Sequence, residues 1–129
     1  MTDGCDNSNG QDDGHDRLAP LPEALRARVQ QDVAAADVLA SARLDLDAEA
    51  TYDESYLVLA EDRLGHYRPQ GDRWQVRWYG TDRLSDARIV EGLGTNSLRL
   101  LDDGHLAAEF HFTLRHAREV ARLHRLLEK

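Results

Sequence analysis

The stretch Asn96–Thr113, NSLRLLDDGHLAAEFHFT, decides the fold of this 129-residue chain. Leu98 and Leu100 alternate with neighbours of the opposite face up to Asp102-Asp103-Gly104. Beyond it, Leu106, Ala108, Phe110 and Phe112 share one face, and Ala107, Glu109 and His111 share the other. Period two on both sides of an Asp-Gly pair predicts a β-hairpin, because these residues tolerate the positive φ of a tight turn. Thr113 then stands at a helix N-cap position, where its hydroxyl can serve an unpaired N–H. LRHAREVARLHRLLEK, residues Leu114–Lys129, follows at once. At about 100° per residue, Leu114, Ala117, Val120, Ala121, Leu123 and Leu127 fill one half of the helical wheel. Arg115, Arg118, Arg122, Arg125 and Lys129 fall within an arc of roughly 80° on the other side.

Upstream, the period changes once. Leu21, Leu25, Val29 and Val33 recur every four residues after Pro20 and Pro22, which predicts an amphipathic helix over about 21–34, with Pro22 tolerated in the first turn. Alternation then takes over. Ala40, Ala42, Leu44 and Leu46 mark a first strand, Tyr56–Ala60 a second and more fully buried one, and Leu64–Tyr67 a third. Pro69-Gln70-Gly71-Asp72 supplies turn chemistry. Trp74, Val76 and Trp78 alternate with Gln75, Arg77 and Tyr79 as a half-buried fourth strand, and Ala87–Glu91 is a fifth, bounded by Gly92-Leu93-Gly94. Seven short strands over about 38–112 predict a mostly β (α+β) fold. It is a seven-stranded antiparallel sandwich or barrel capped by the C-terminal helix over 114–129.

Charge divides the chain into three. The formal net charge is −8. Residues 1–17 hold five Asp against Arg17, and their polar composition predicts a disordered acidic tail before a domain over 18–129. The last sixteen residues carry +3, so the middle is acidic as well. Such a body is repelled by nucleic-acid phosphates, which sets nucleic-acid partners aside. No apolar run approaches the length of a membrane helix, the first residues carry no signal-peptide pattern, and a single Cys cannot form an internal disulfide. A cytoplasmic location is the expectation.

Seven strands closed by one helix is the order of the pleckstrin-homology (PH) superfold. LVLAEDRL, residues Leu57–Leu64, resembles the strand-turn-strand motif of bacterial PH-like domains. Trp78, Leu84, Ile89-Val90-Glu91, Gly92-Leu93-Gly94, Phe112-Thr113 and His116-Ala117 extend the likeness. Residues from about 20 to 129 thus resemble the cytosolic N-terminal extension of certain ABC exporters, which precedes the membrane and ATPase domains. Ala60-Glu61 departs from the usual Thr. The resemblance implies a non-catalytic PH-like module that regulates or assembles an ABC transporter at the inner face of the plasma membrane, or a stand-alone relative. Its partners would be protein, including the transporter's membrane and nucleotide-binding domains. The alternative is an independent protein-interaction scaffold or anionic-membrane-surface binder unrelated to transport.

Candidate chemistry is sparse. No Gly-x-x-x-x-Gly-Lys-Ser/Thr loop occurs, so no residue here carries ATPase chemistry. Cys5 and Ser41, Ser55, Ser85 and Ser97 stand in no nucleophile motif, and the serines read as strand-surface or turn residues. His105, His111, His116 and His124 lack metal-ligand spacing, and His124 falls amid the apolar half of its helix. Asp45, Asp47, Glu49, Asp53 and Glu54 read as solvated loop carboxylates that would repel a phosphoinositide headgroup. Trp74, Trp78, Phe110 and Phe112 read as core aromatics. What remains is a partner-binding surface made of Arg115, Arg118, Arg122, Arg125 and Lys129, with Tyr79 as an outward anchor, and no catalytic residue, metal or cofactor. Folding of the acidic tail back onto this basic row is an alternative use of it.

Overall fold

The computed structural model describes residues 17–128 apart from positions 48 and 50. Helix α1, Glu23–Asp32, is followed by strands β1 (Val38–Leu46), β2 (Tyr52–Ala60), β3 (Arg63–Gln70) and β4 (Arg73–Gly80). Strands β5 (Asp86–Glu91), β6 (Asn96–Asp102) and β7 (His105–Phe112) come next, and helix α2, Ala117–Leu127, ends the order. The strands form two antiparallel sheets, β1-β2-β3-β4 and β5-β6-β7. The fold is therefore α+β and mostly β, and no helix among the described residues is long and apolar enough to cross a membrane. Most of the expected acidic tail lies outside the described residues. Arg17 belongs to the folded part: its guanidinium donates to the Val38 carbonyl at 3.2 Å, and its own carbonyl accepts from the Ser41 hydroxyl.

Two apolar clusters lie on opposite faces of the four-stranded sheet, and β2 supplies buried residues to both. Leu57 and Leu59 of β2 point into the main cluster between the sheets, with Leu44, Leu98, Phe112 and, from α2, Val120 and Leu123. Tyr56, Val58 and Ala60 point the other way, into a second cluster beneath α1 with Leu25, Val29 and Tyr67. All five β2 residues are at most 5% exposed, as a strand covered on both faces must be. Leu21 and Val33 are buried in the second cluster although they flank α1 rather than lie in it, because the helix closes at Asp32. There Asp32 gathers three contacts: its carboxylate accepts from Arg28 and from the Tyr67 hydroxyl, each at 2.9 Å, and its carbonyl accepts from Arg63 at 2.8 Å.

The aromatic residues divide between the clusters. Phe110 and Phe112 are buried in the main one, whereas Trp74 and Trp78 are half-buried against the second. Trp78 lies across Gly65, its register partner on β3, so closely that a Cβ there would stand 2.7 Å from the indole. Arg63 covers the same indole, its guanidinium carbon 4.1 Å from the ring centre, and Tyr67 meets it edge-on. The two-residue turn of the closing hairpin has φ of 53° at Asp103 and 83° at Gly104, as the Asp-Gly reading requires. Gly71 opens the β3–β4 turn at φ 66°, which lets β3 run through Pro69 to Gln70 rather than end there.

Expectations at Leu106, at the start of α2 and at Tyr79 are corrected: the register of β6 with β7 shifts between Leu100 and Leu101, and Leu106 leaves the apolar face and is 56% exposed. Leu114–His116 form a 3₁₀ turn, and the α-helix begins only at Ala117. Leu114 is consequently 72% exposed and not part of the helix's apolar half. Tyr79 shares a strand face with Gln75 and Arg77, and that face turns inward. Its ring packs on the main cluster and meets Phe110 edge-on with centres 6.1 Å apart, so it does not project outward.

Because the Trp78 indole occupies the space above Gly65, Gly65→Ala should destabilise the chain by about 1–3 kcal/mol, the usual cost of overpacking. Urea denaturation checks this, and the same change made in a Trp78→Leu background should cost much less.

Candidate functional site

Helix α2 presents two unlike faces. Val120 and Leu123 are fully buried, and Leu126 and Leu127 pack on the main cluster. Opposite them, Arg118, Arg122 and Arg125 follow helical spacing, with Arg115 in the preceding turn, and all four are exposed. None has a carboxylate within 4.0 Å among the described residues. Lys129 lies outside the described residues. Tyr79, on the inner face of β4, is not brought to this row.

A polar joint holds the helix in place. β1 is a free edge of its sheet, and the Arg43 N–H on that edge donates to Glu119 Oε1 of α2 at 3.0 Å. Asp45, expected to be a solvated loop carboxylate, is buried on β1 at 3% exposure. It accepts the Thr113 N–H at 2.9 Å and the Thr113 hydroxyl at 2.5 Å. Thr113 in turn accepts from Arg115 N–H at 3.4 Å, as an N-cap, though of the 3₁₀ turn. His116 is buried beside this group, its Nε2 4.0 Å from Asp45 and its Nδ1 3.6 Å from Glu119. At the other end of α2, His124 Nε2–H donates to the Ala87 carbonyl on β5 at 2.7 Å. A helix fastened at both ends and along one apolar face displays its arginines at fixed spacing.

A second feature was not legible in the sequence. The inner face of the four-stranded sheet opens into a cleft of about 590 Å³ against β7. Ser55, His66, Arg68, Gln75 and Arg77 line it together with Leu44, Tyr79 and Phe110. The pairing β1–β2–β3–β4 brings these together: Leu44 opposes Ser55, His66 opposes Arg77, and Arg68 opposes Gln75. Ser55, expected at a strand surface or turn, is buried, and its hydroxyl lies 2.9 Å from His66 Nε2. The imidazole rests edge-on against Phe110, with centres 4.8 Å apart.

Burial holds the His66 pKa down at about 4, and the charges of Arg68 and Arg77 push in the same direction. His66 is therefore a neutral hydrogen-bonding group at pH 7 and a weak base. Among the described residues no carboxylate reaches either of its ring nitrogens, so the Ser55–His66 pair lacks the third group that orients a catalytic imidazole.

The depressed pKa sets a pH dependence. The unfolded chain protonates this imidazole below about pH 6.5, while the folded chain resists until about 4. The contribution of neutral His66 is thus complete above 6.5 and is lost progressively as pH falls through that window. Proton NMR of the ring should show a midpoint near 4, and the stability of His66→Gln should fall less steeply between pH 6.5 and 4 than that of the parent. A midpoint near 6.5 would contradict the burial described.

Compared with protein-family models, characterised proteins and solved structures, the chain gave no significant match, so its own side chains are the ground for a functional reading.

Proposed function

We propose that this chain is a non-catalytic PH-like binding module of the cytoplasm. In this reading it is the N-terminal regulatory or assembly region of an ABC transporter, or a stand-alone relative, and it binds an acidic protein surface through the arginine row. One observation carries the reading. Arg115, Arg118, Arg122 and Arg125 stand exposed and without carboxylate partners among the described residues, on a helix whose other face is locked into the core. Cations that were only solvating a surface need no such rigid mounting. Because the helix is already fixed, meeting a partner orders the arginine side chains but requires no ordering of the backbone that carries them. Four strands, then three, then a helix across the sheets is the order expected of the PH superfold and supports the architectural half of the reading. The Leu57–Leu64 motif spans β2 to β3, where that architecture expects it.

Four exposed arginines without carboxylate partners among the described residues give an electrostatic association that weakens with salt. The full chain should bind a fluorescent poly-glutamate peptide at low ionic strength and release it near 0.15 M salt. Arg118→Glu with Arg122→Glu should abolish that binding and leave the thermal midpoint unchanged, because neither side chain packs. An exporter that co-purifies with the parent chain and not with the reversed one would support the transporter half. Unchanged peptide binding in the reversed chain removes the row from the account. Preferential sedimentation with phosphatidylserine vesicles favours the membrane-surface alternative instead.

A further inference from the structure

The inner face of the four-stranded sheet changes character along its length. Its row nearest the β2–β3 turn is apolar, with Ala40, Leu59, Leu64 and Tyr79 in register. One row on, Leu57 is followed by His66 and Arg77, and beyond that come Leu44 and Ser55, then Arg68 and Gln75. Strand alternation puts all of these on the inner face of the sheet, where Leu44, Leu57 and Ser55 are buried while Arg68, Gln75 and Arg77 are exposed at its open end. Five of them are polar. This is the quadrant that the three-stranded sheet leaves uncovered, and it forms the cleft.

Four carboxylates and two arginines line the cleft, and of the two arginines only Arg77 lacks a carboxylate partner among the described residues. Arg68 lies 3.7 Å from Asp53, and Glu109 is held by Arg99 at 2.7 Å. Asp47 Oδ1 accepts from the Glu49 and Thr51 amides of its own loop. Arg77 has no carboxylate within 4.0 Å among the described residues and sits 5.8 Å from the centre of the Tyr79 ring. Deeper in, the Tyr79 and Phe110 rings and Leu44 offer an apolar floor, while Asp47, Glu49 and Asp53 stand around the rim. The volume of about 590 Å³ is that of a small-molecule site.

We infer that this cleft binds a small amphipathic monocarboxylate, with its carboxylate on Arg77 and its apolar body against Tyr79, Phe110 and Leu44. The guanidinium supplies the charge-assisted hydrogen bonds that a carboxylate takes in pairs. Tyr79, the half-buried member of that floor, gains burial from the apolar part, while Leu44 and Phe110 are already buried beneath it. The acidic rim repels polyanions such as multiply phosphorylated headgroups more strongly than it repels a single carboxylate. His66, kept neutral by burial and by Arg68 and Arg77, offers a hydrogen bond without adding a second positive charge. The site is independent of the arginine row on α2, and either can fail without the other.

Titration of the full chain with phenylacetate and with hexanoate, followed by amide chemical shifts, tests this. At least one should bind saturably, moving the resonances of Arg77 and Tyr79. Arg77→Gln should weaken it about tenfold or more, the worth of one charged hydrogen bond, and Arg77→Lys should recover part of the loss. Arg88→Gln, on the other sheet, should bind as the parent does, and inorganic phosphate should not compete. Saturation by neither acid, equal affinity in folded Arg77→Gln, or equally tight binding of benzylamine overturns the assignment.

Discussion

Everything in this fold hangs on β2, whose alternate side chains are committed to two different apolar clusters. Leu57 and Leu59 complete the core between the sheets, while Tyr56, Val58 and Ala60 form the floor on which α1 rests. A shift of one residue would exchange the two sets, so the pairing register with β1 and β3 is under double constraint. Helix α1 is then a necessity. Without Leu21, Leu25 and Val29 above them, Tyr56, Val58, Tyr67 and two tryptophans would form an exposed apolar face on the sheet. Asp32 secures the arrangement by tying the end of α1 to Tyr67 and Arg63 on the neighbouring strand.

The second helix solves a different problem. A two-sheet core leaves edges and an open flank, and α2 covers both at the β1 side: Val120 and Leu123 fill the flank, and Glu119 takes an unpaired edge amide. Where cover stops, the interior changes composition. Away from α2, the inner face of the same sheet carries buried Ser55, half-buried His66, and Arg68, Gln75 and Arg77, which are exposed. The described residues thus present two surfaces of unlike chemistry, a row of exposed cations on α2 and a concave cleft in which the Arg77 guanidinium has no carboxylate within 4.0 Å among the described residues. The first suits a broad acidic surface, and the second a small ligand.

Local patterns in the sequence reached most of the fold, because the elements follow from periodicity and turn chemistry. The Asp103-Gly104 turn, the shared faces of Leu98 with Leu100 and of Phe110 with Phe112, and the full burial of Tyr56–Ala60 were all readable from neighbours along the chain. Readings that depended on distant pairing were not. Tyr79 and Trp78 are adjacent and aromatic, and only the covering of one sheet face by α1 decides which turns inward to Phe110. Asp45 looked like one more loop acid because its partner, Thr113, is 68 residues away. The same holds for Ser55 and His66, whose meeting depends on the β2–β3 register. The arginine row was legible because a helix writes its faces into local spacing. Its start was misjudged because Thr113 caps a 3₁₀ turn before the α-helix begins.

The central functional claim is a division of labour on α2, with one face spent on the core and the other free for an acidic partner. Amide chemical-shift mapping of the full chain with bound poly-glutamate addresses it most directly. The predicted perturbations are confined to residues 115–125 and their immediate neighbours, with the resonances of Val120 and Leu123 side chains still those of a packed core. Perturbations concentrated in the β1–β4 cleft, or none on α2 at saturation, would contradict it.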